Sequence, residues 1–433
     1  MSVDVRGLAG ADRRSRPSGQ AAWQGGAASP NARTMSEPPP SSPARLPRIA
    51  ILFTQFAAYH VDRIEAAAQR LVGRAEVTGV EYAASSHRYA WERASGLKAA
   101  RHITLFPDEP YEAVASARRF VAARRALKNA DIVCIGVPWS RPDIVALSWH
   151  LRLAGKCIIA MTESKADDRQ RGAISEAAKA FLLKAYHGAI VGGSPQKAYL
   201  RALGFDDRPI VPGYDTVSLE RVRKAAADAP PLSWERRPCV FVGRFVPKKN
   251  FAGLLRGFSL YAKREGQAAR PLILVGDGPL RAELEARARD LGIEERVIFR
   301  GFTDAHRTAR ELAGALALCL VSTTEQWGLV VNEAAALGVP ALISRQVGSG
   351  HALVRHDVTG QIVDGGSDSA IAEAMATLAA REDRWQAYSD ATRARADLGD
   401  VARFANALEW LLHPHDPQVQ SRIADFWQRV EAP

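Results

Sequence analysis

No run of this chain stays apolar over the roughly 18 residues that a membrane-crossing helix requires, and its first residues lack the apolar core of a secretory leader. The expectation is a cytoplasmic protein. Cysteine is sparse: Cys134, Cys157, Cys239 and Cys319 each sit inside an apolar run, at no metal-ligand spacing. They read as buried, reduced thiols, and no metal site is expected. Acid is short relative to base, 47 Asp and Glu against 58 Lys and Arg, for a formal net charge of +11. No nucleic-acid recognition motif accompanies that surplus. It suits an anionic substrate, or peripheral contact with an anionic membrane at the inner face. The chain's 433 residues exceed one ordinary core, so two domains are expected.

Residues 1–46 lack the apolar content to order themselves. They are rich in Pro, Ser, Gly, Ala and Arg, contain the run PPPSSP, and carry six Arg against three acids. They are expected to be a disordered basic tail, and Met35 offers a second start. From Arg48 short β-type runs alternate with longer helical ones: RIAILF, EVTGVEY, DIVCIGV, KCIIAMT and GAIVGG are strands, and YEAVASARRFVAARRALKNA is among the helices. Fully apolar strands between helices mean a parallel sheet covered on both faces. The alternation stops in the polar stretch 212–236 and then restarts with PCVFVG, PLILVG, RVIFRG, ALCLVS, PALIS and GQIVD. The expected α/β architecture is two facing doubly wound, Rossmann-like domains, 47–215 and 237–382, joined by a linker at 216–236. Helices over 383–433 are expected to pack back across the junction. A ligand should lie between the domains, beyond the carboxyl ends of the strands.

Several clusters of residues carry chemistry. In EQWGLVVNEAAALGVPALIS, Glu325 and Glu333 flank Gly328, and a helix is expected to begin near Leu329 or Val330. Free N–H groups at that start suit an anion, while two carboxylates suit sugar hydroxyls; helix-capping acids would also account for them. In VGRFVPKKN a strand ends at Gly243, and Arg244 and Lys249 follow. A planar fork and a point charge at a sheet's lip suit a diphosphate. In VGDGPLRAEL, Gly276 and Gly278 make a tight strand–helix turn, with Pro279 expected to start the helix. In the first half, Gln55 and His60 in FTQFAAYHVDR, and Glu163, Ser164 and Arg169 in MTESKADDRQR, stand at strand ends and are candidates for the acceptor side. A structural histidine and a solvated loop are the plainer alternatives. Arg118, Arg119, Arg124, Arg125 and Lys128 make a basic helix, either a solvated face or a membrane-surface patch.

In this order, Gly-Arg…Lys-Asn, Gly-Asp-Gly-Pro, VIFRGF and the Glu-x7-Glu element resemble glycosyltransferase family 4, most specifically over about residues 238–365. The resemblance implies the GT-B fold and a retaining transfer of a hexose-type sugar from a nucleotide-diphosphate sugar to a hydroxyl acceptor (a sugar, a glycolipid or a small metabolite). Bacterial surface polysaccharide or glycolipid synthesis would use such a step. It implies no cofactor and no metal. Arg244 and Lys249 would neutralise the diphosphate, Glu333 would hold the ribose and Glu325 the transferred sugar, and the backbone from Gly328 through Leu329 to Val330 would bind phosphate. Gly243, Gly276 and Gly278 fall on the donor side. The chain departs from the family pattern twice. Gly348-Ser349-Gly350-His351-Ala352 lacks an acid that many relatives carry, and Thr162-Glu163-Ser164 stands where many place a histidine.

Three other readings stay open. One is a non-catalytic nucleotide-sugar or lipid-binding relative of the same fold. An NAD-dependent oxidoreductase is disfavoured because Gly-x-Gly is followed by Arg281, not by the third Gly. A sugar-nucleotide epimerase fits the Glu325–Glu333 spacing less well.

Overall fold

The computed structural model describes residues 45–87, 96–168 and 171–431. The expected tail lies outside these but for Arg45 and Leu46, as does the candidate Arg169. From Leu46 onward the chain forms one compact unit.

The first half runs β1 (Arg48–Phe53), α1 (Ala58–Arg70), β2 (Glu76–Ala83), β3 (Arg101–Phe106), α2 (Ser116–Leu127), β4 (Ile132–Ile135), α3 (Pro142–Leu153), β5 (Cys157–Thr162), α4 (Ala173–Leu183), β6 (Gly188–Val191), α5 (Ser194–Ala202) and β7 (Ile210–Pro212). After α6 (Leu219–Ala225) the second half runs β8 (Cys239–Val242), α7 (Phe251–Glu265), β9 (Leu272–Val275), α8 (Arg281–Asp290), β10 (Val297–Gly301), α9 (Ala305–Ala313), β11 (Ala317–Leu320), α10 (Val330–Ala336), β12 (Ala341–Ser344), α11 (Gly350–Leu353), β13 (Gly360–Val363) and α12 (Asp368–Ala379). Three helices close the chain: α13 (Glu382–Arg395), α14 (Val401–Leu412) and α15 (Pro417–Glu431).

Each half is a parallel sheet, ordered β3-β2-β1-β4-β5-β6-β7 and β10-β9-β8-β11-β12-β13. Strands buried on both faces have no polar side to alternate with, which explains runs such as Cys-Val-Phe-Val and Ala-Leu-Cys-Leu. Strands β3 and β7 have no counterpart in the sequence reading. The first has no buried residue and the second is three residues long, so neither writes a strong apolar pattern.

Two local departures have clear causes. The expected helix over 111–130 is a short turn at Tyr111–Ala113 followed by α2, because Val114 is extended. The buried Arg119 guanidinium takes the carbonyls of Tyr111 and Val114 and pairs with Asp143 at 2.7 Å. Arg119 therefore does not belong to a basic surface. Helix α8 starts at Arg281, not at Pro279: the Leu280 N–H donates to the Phe245 carbonyl at 3.2 Å, which holds the turn against the loop after β8.

The stretch 216–236 contains α6, whose Leu219 and Val222 pack with Ala335 and Ala336 of α10. The last helices divide between the halves. Trp385 of α13 belongs to the second core, Phe404 and Leu408 of α14 to the first, and Trp427 of α15 packs against both.

Candidate functional site

In the second sheet β8 and β11 lie side by side while the strand order runs away from them in opposite directions. Such a switch point leaves a crevice beyond the carboxyl ends of the two strands. Gly243 (φ 148°) ends β8, and Arg244 stands exposed just beyond it. Lys249 closes the short turn before α7. The next residue, Asn250, has φ 55°; its Oδ1 accepts from the Gly253 N–H at 3.3 Å and caps α7. Its Nδ2 donates to the carbonyls of Val321 (3.0 Å) and Gly365 (2.7 Å). One amide thus joins the loop after β8 to the loop after β11 and sets Lys249 against Glu325.

The Glu325 carboxylate, 7% exposed, pairs with Lys249, has Lys248 at 3.8 Å, and accepts from Ser322 Oγ at 3.2 Å. The sequence reading chose Lys249 and passed over Lys248, although both stand in the same motif. The loop at 348–352 braces this one through its backbone: the Gly348 N–H donates to the Glu325 carbonyl (3.2 Å) and the Ser349 N–H to that of Trp327 (3.0 Å).

Gly276 (φ 132°) lies against the same crevice. A Cβ there would stand 2.0 Å from the Gly243 carbonyl oxygen, so only glycine lets the two loops meet. Gly278 (φ 159°) fixes the next turn, its N–H bonded to Asp277 Oδ1 at 2.7 Å. Gly328 (φ 92°) turns the chain into Leu329, the cap residue of α10, and Val330 is the first helical residue. Glu333, one turn on, lines a cavity of about 350 Å³ with Tyr59, Arg221, Val242, Phe302 and Thr303. Burial pushes its carboxyl up to about 7, against the pull of Arg221 and with a further push from Asp62.

In the first sheet the switch point lies between β1 and β4, and the loops after β1, β4 and β5 enclose a cavity of about 320 Å³. Its lining brings together Gln55, His60, Glu163 and Ser164 with Trp139, and Gln326 enters from the second half. His60 is buried against Phe53, its Nδ1 accepting from the Ala57 N–H at 3.0 Å at the start of α1. Burial first, and then the Arg63 charge, hold its pKa well below the ordinary value, so it is neutral at pH 7.

Beneath this cavity lies a cluster that the sequence reading missed. Arg63 is 1% exposed, between the rings of Tyr59 (4.9 Å) and Tyr214 (5.0 Å), and its Nε donates to the Thr216 carbonyl at 2.9 Å. It lay in plain view, one helical turn after His60, but an arginine in a helical run reads as surface. Asp215, 2% exposed, has its carboxyl raised well above the usual range by burial and then by the Glu163 charge, with Arg63 opposing. The Glu163 carboxyl is raised by burial, lowered by Arg63, and feels Glu325 and Lys248 from the second half. The two candidate regions therefore face one another. Gln55 Oε1, Arg63 Nη2 and Asp215 Oδ2 have no hydrogen-bond partner among the described residues. Buried polar atoms left this way cost about 1–3 kcal/mol each; of the three residues Gln55 lines the cavity, where a ligand or water would relieve it.

Most of the chain resembles solved structures of one architecture. Sucrose-phosphate synthase from Thermosynechococcus elongatus matches with a TM-score of 0.65 at 18% identity, over 85% of this chain and 98% of that one. Anabaena Alr3699/HepE in complex with UDP matches at 0.63 and 15%, over 85% and 100%. The fold is GT-B. Residues 227–395 match the family model described as glycosyl transferases group 1. Among curated proteins, the GDP-mannose-dependent alpha-(1-6)-phosphatidylinositol monomannoside mannosyltransferase of Mycobacterium tuberculosis is 34% identical over 166 residues, 37% of this chain and 42% of that protein. The lipopolysaccharide core biosynthesis glycosyltransferase LpsD of Rhizobium meliloti is 36% identical over 140 residues, 32% and 38%. The chain thus spans less than half the length of these relatives. Among the described residues no helix is long and apolar enough to cross a membrane, and no group of His, Cys, Asp and Glu is placed to hold a metal.

Proposed function

We propose that this chain is a retaining glycosyltransferase of family 4, moving a hexose-type sugar from a nucleotide-diphosphate sugar to a hydroxyl acceptor in surface polysaccharide or glycolipid synthesis. The observation that carries the reading is the pairing of Glu325 with Lys249 beside Arg244 at the switch point of the second sheet, facing the polar cavity of the first. The relatives support it, since two of them are named for mannosyl transfer and lipopolysaccharide synthesis and one solved neighbour holds UDP.

In this proposal the donor diphosphate meets Arg244, Lys249 and the backbone at Gly328–Val330, close to Gly243, Gly276 and Gly278. The leaving oxygens gain negative charge as the glycosidic bond breaks, and the two fixed cations stabilise that charge without a metal or other cofactor. Glu325 accepts from hydroxyls of the transferred sugar, and Glu333 from the ribose. Gln55, His60, Glu163, Ser164 and Arg169 belong to the acceptor side. Neutral His60, whose Nδ1 already accepts from the Ala57 N–H, carries its proton on Nε2 and can donate but not accept a hydrogen bond, without adding charge. A donor phosphate oxygen takes the acceptor's proton on the face from which the diphosphate departs. Cytoplasmic residence, with peripheral contact at an anionic membrane, completes the proposal.

A panel of UDP- and GDP-sugars, scored by thermal shift and slow donor hydrolysis, tests it. One donor should stabilise the protein and be hydrolysed. Stabilisation without hydrolysis, also in the presence of candidate acceptors, favours a binding relative; no response to any nucleotide sugar overturns the reading.

The Glu333 carboxyl adds a pH signature. Only the ionised form offers acceptors to both ribose hydroxyls, so with a pKa of about 7 donor affinity should rise with pH and level off above it. About tenfold weaker binding at pH 6 than at pH 8 is expected, and none of that dependence in Glu333→Gln. The empty protein should show the opposite trend. Because the folded value is raised above the ordinary 4.5, this group's stability contribution is full below that value and is lost as pH climbs through about 7. Calorimetric titration across pH reads the first effect and denaturant melts the second.

A further inference from the structure

Helix α4 turns an apolar stripe outward, although its last residue, Leu183, is buried in the first core. Its outer face, at helical spacing, is Ile174, Ala177, Ala178 and Phe181, all exposed and all apolar, with Ile174 89% and Phe181 57% exposed. Its inner face carries Glu176 and Lys179. Both hold the Tyr199 hydroxyl, which donates to Glu176 at 2.7 Å and accepts from Lys179 Nζ at 3.3 Å. Lys179 and Tyr199 line the cavity of the first half. An ordinary surface helix has the reverse arrangement, apolar inward and polar outward.

The apolar face continues onto the next helix. Leu153, the last residue of α3, is 84% exposed, and the Trp149 ring lies 5.8 Å from that of Phe181. The charges bordering this face are mostly of one sign. Lys184 is exposed with its Nζ 5.8 Å from the Phe181 ring, and Arg152 and Lys156 follow on α3 and the turn after it. Arg124, Arg125 and Lys128 are exposed on and just after α2, which packs beside α3. Acids nearby include Asp206 and Asp207, beside Arg208, Asp167 and Asp168 ahead of α4, paired with Lys165, and Glu176 on the inner side.

We infer that the outer face of α4, with Leu153, seats on an anionic lipid bilayer. The apolar side chains enter the headgroup boundary and the surrounding Lys and Arg meet lipid phosphates. A second copy of this chain is the poorer occupant, because it would bring its own basic border against this one, on a chain of net charge +11. The docking is independent of what the cleft transfers. Its consequence for the acceptor rests on the transferase reading: the helix that touches lipid also walls the acceptor-side cavity, so the acceptor is lipid-linked and enters from the bilayer surface.

The test is flotation of the full chain with vesicles of phosphatidylcholine alone and of an about 3:1 mixture with phosphatidylglycerol. The wild type should float with the anionic vesicles only, and less at high salt. The Leu153→Ser, Ile174→Ser, Phe181→Ser triple variant should bind at least about tenfold more weakly. These positions are exposed, so the variant should melt with the wild type and keep the same thermal shift with the donor. Failure of the wild type to float, or equal binding by the variant, overturns the inference. So does a wild-type dimer that the triple substitution turns into a monomer. Donor binding fails or holds separately, so neither result is confused with the transferase test.

Discussion

Lys249→Ala should lower turnover at saturating donor by about 10²–10³-fold, the loss seen when one preorganised donor to a developing oxyanion is removed, or about 2.7–4 kcal/mol of barrier. The structure adds a complication that the same experiment resolves. Lys249 is the close partner of Glu325, which is 7% exposed and has Lys248 only at 3.8 Å. Removing one member of a largely buried pair leaves the other uncompensated and destabilises the fold. A drop in activity on its own would therefore mix two effects. Glu325→Gln, alone and with Lys249→Ala, separates them, because the neutral amide no longer needs a cation. The double variant should recover most of the lost melting temperature, while its turnover should fall well below that of Glu325→Gln, which has lost only the sugar contact. Equal turnover in Glu325→Gln and the double variant would show that Lys249 serves only to hold Glu325. Wild-type turnover in the single variant would remove Lys249 from the leaving-group role altogether. Arg244→Ala, at an exposed position, should lose activity on the same scale with little change in melting.

The contrast between Lys249 and Arg63 shows what the sequence makes legible. Strands such as Cys239–Val242 and Ala317–Leu320 are apolar on both faces, so both parallel sheets, and the switch points where ligands bind, can be read from the alternation of elements. Lys249 stands in a short motif at such a point and is readable with it. Arg63 has no motif. Its burial depends on Tyr214 and Thr216, about 150 residues away, closing over α1, and no local pattern encodes that meeting. Asp215 is hidden for the same reason. The inverted face of α4 was obscured differently: Ala-Ile-Ser-Glu-Ala-Ala-Lys-Ala-Phe-Leu-Leu has an apolar stripe that reads as core-facing, and only the placement of the helix shows that the stripe points outward. That Glu325 pairs with Lys249 while Glu333 lines a cavity with Tyr59 and Arg221 was likewise beyond spacing, which sets sequence distance and not direction.

The largest expected stability effect lies at Asn332. This side chain is fully buried on α10, and its one amide serves three segments. Oδ1 accepts from the Trp327 indole N–H at 2.9 Å, and Nδ2 donates to the carbonyls of Asp215 (2.9 Å) and Gly399 (3.1 Å). Trp327 belongs to the candidate site loop, Asp215 to the segment leaving the first sheet, and Gly399 to the crossover before α14. Asn332→Ala leaves the Trp327 indole N–H and the Asp215 carbonyl without this partner, each costing about 1–3 kcal/mol, while the Gly399 carbonyl keeps the Val217 N–H at 3.0 Å; a loss of roughly 2–5 kcal/mol is expected in denaturant unfolding. Asn332→Asp keeps the acceptor for Trp327 but turns a carboxyl oxygen toward two carbonyls, so it must hold a proton to donate to one of them, and its loss should shrink as pH falls. The loss should reach function through Trp327, whose ring packs where the halves meet: a Cβ on Gly192, at the end of β6, would lie 2.6 Å from that ring and 2.4 Å from Asp215 Oδ2. Gly192→Ala forces the contact apart without touching the amide. If Asn332 acts by holding the halves together through Trp327, Gly192→Ala should raise donor KM and lower kcat in the same sense as Asn332→Asp, and the two changes should combine less than additively. Additive effects would mean that the amide stabilises the second half only, and that the Trp327 contact is incidental to the closed arrangement.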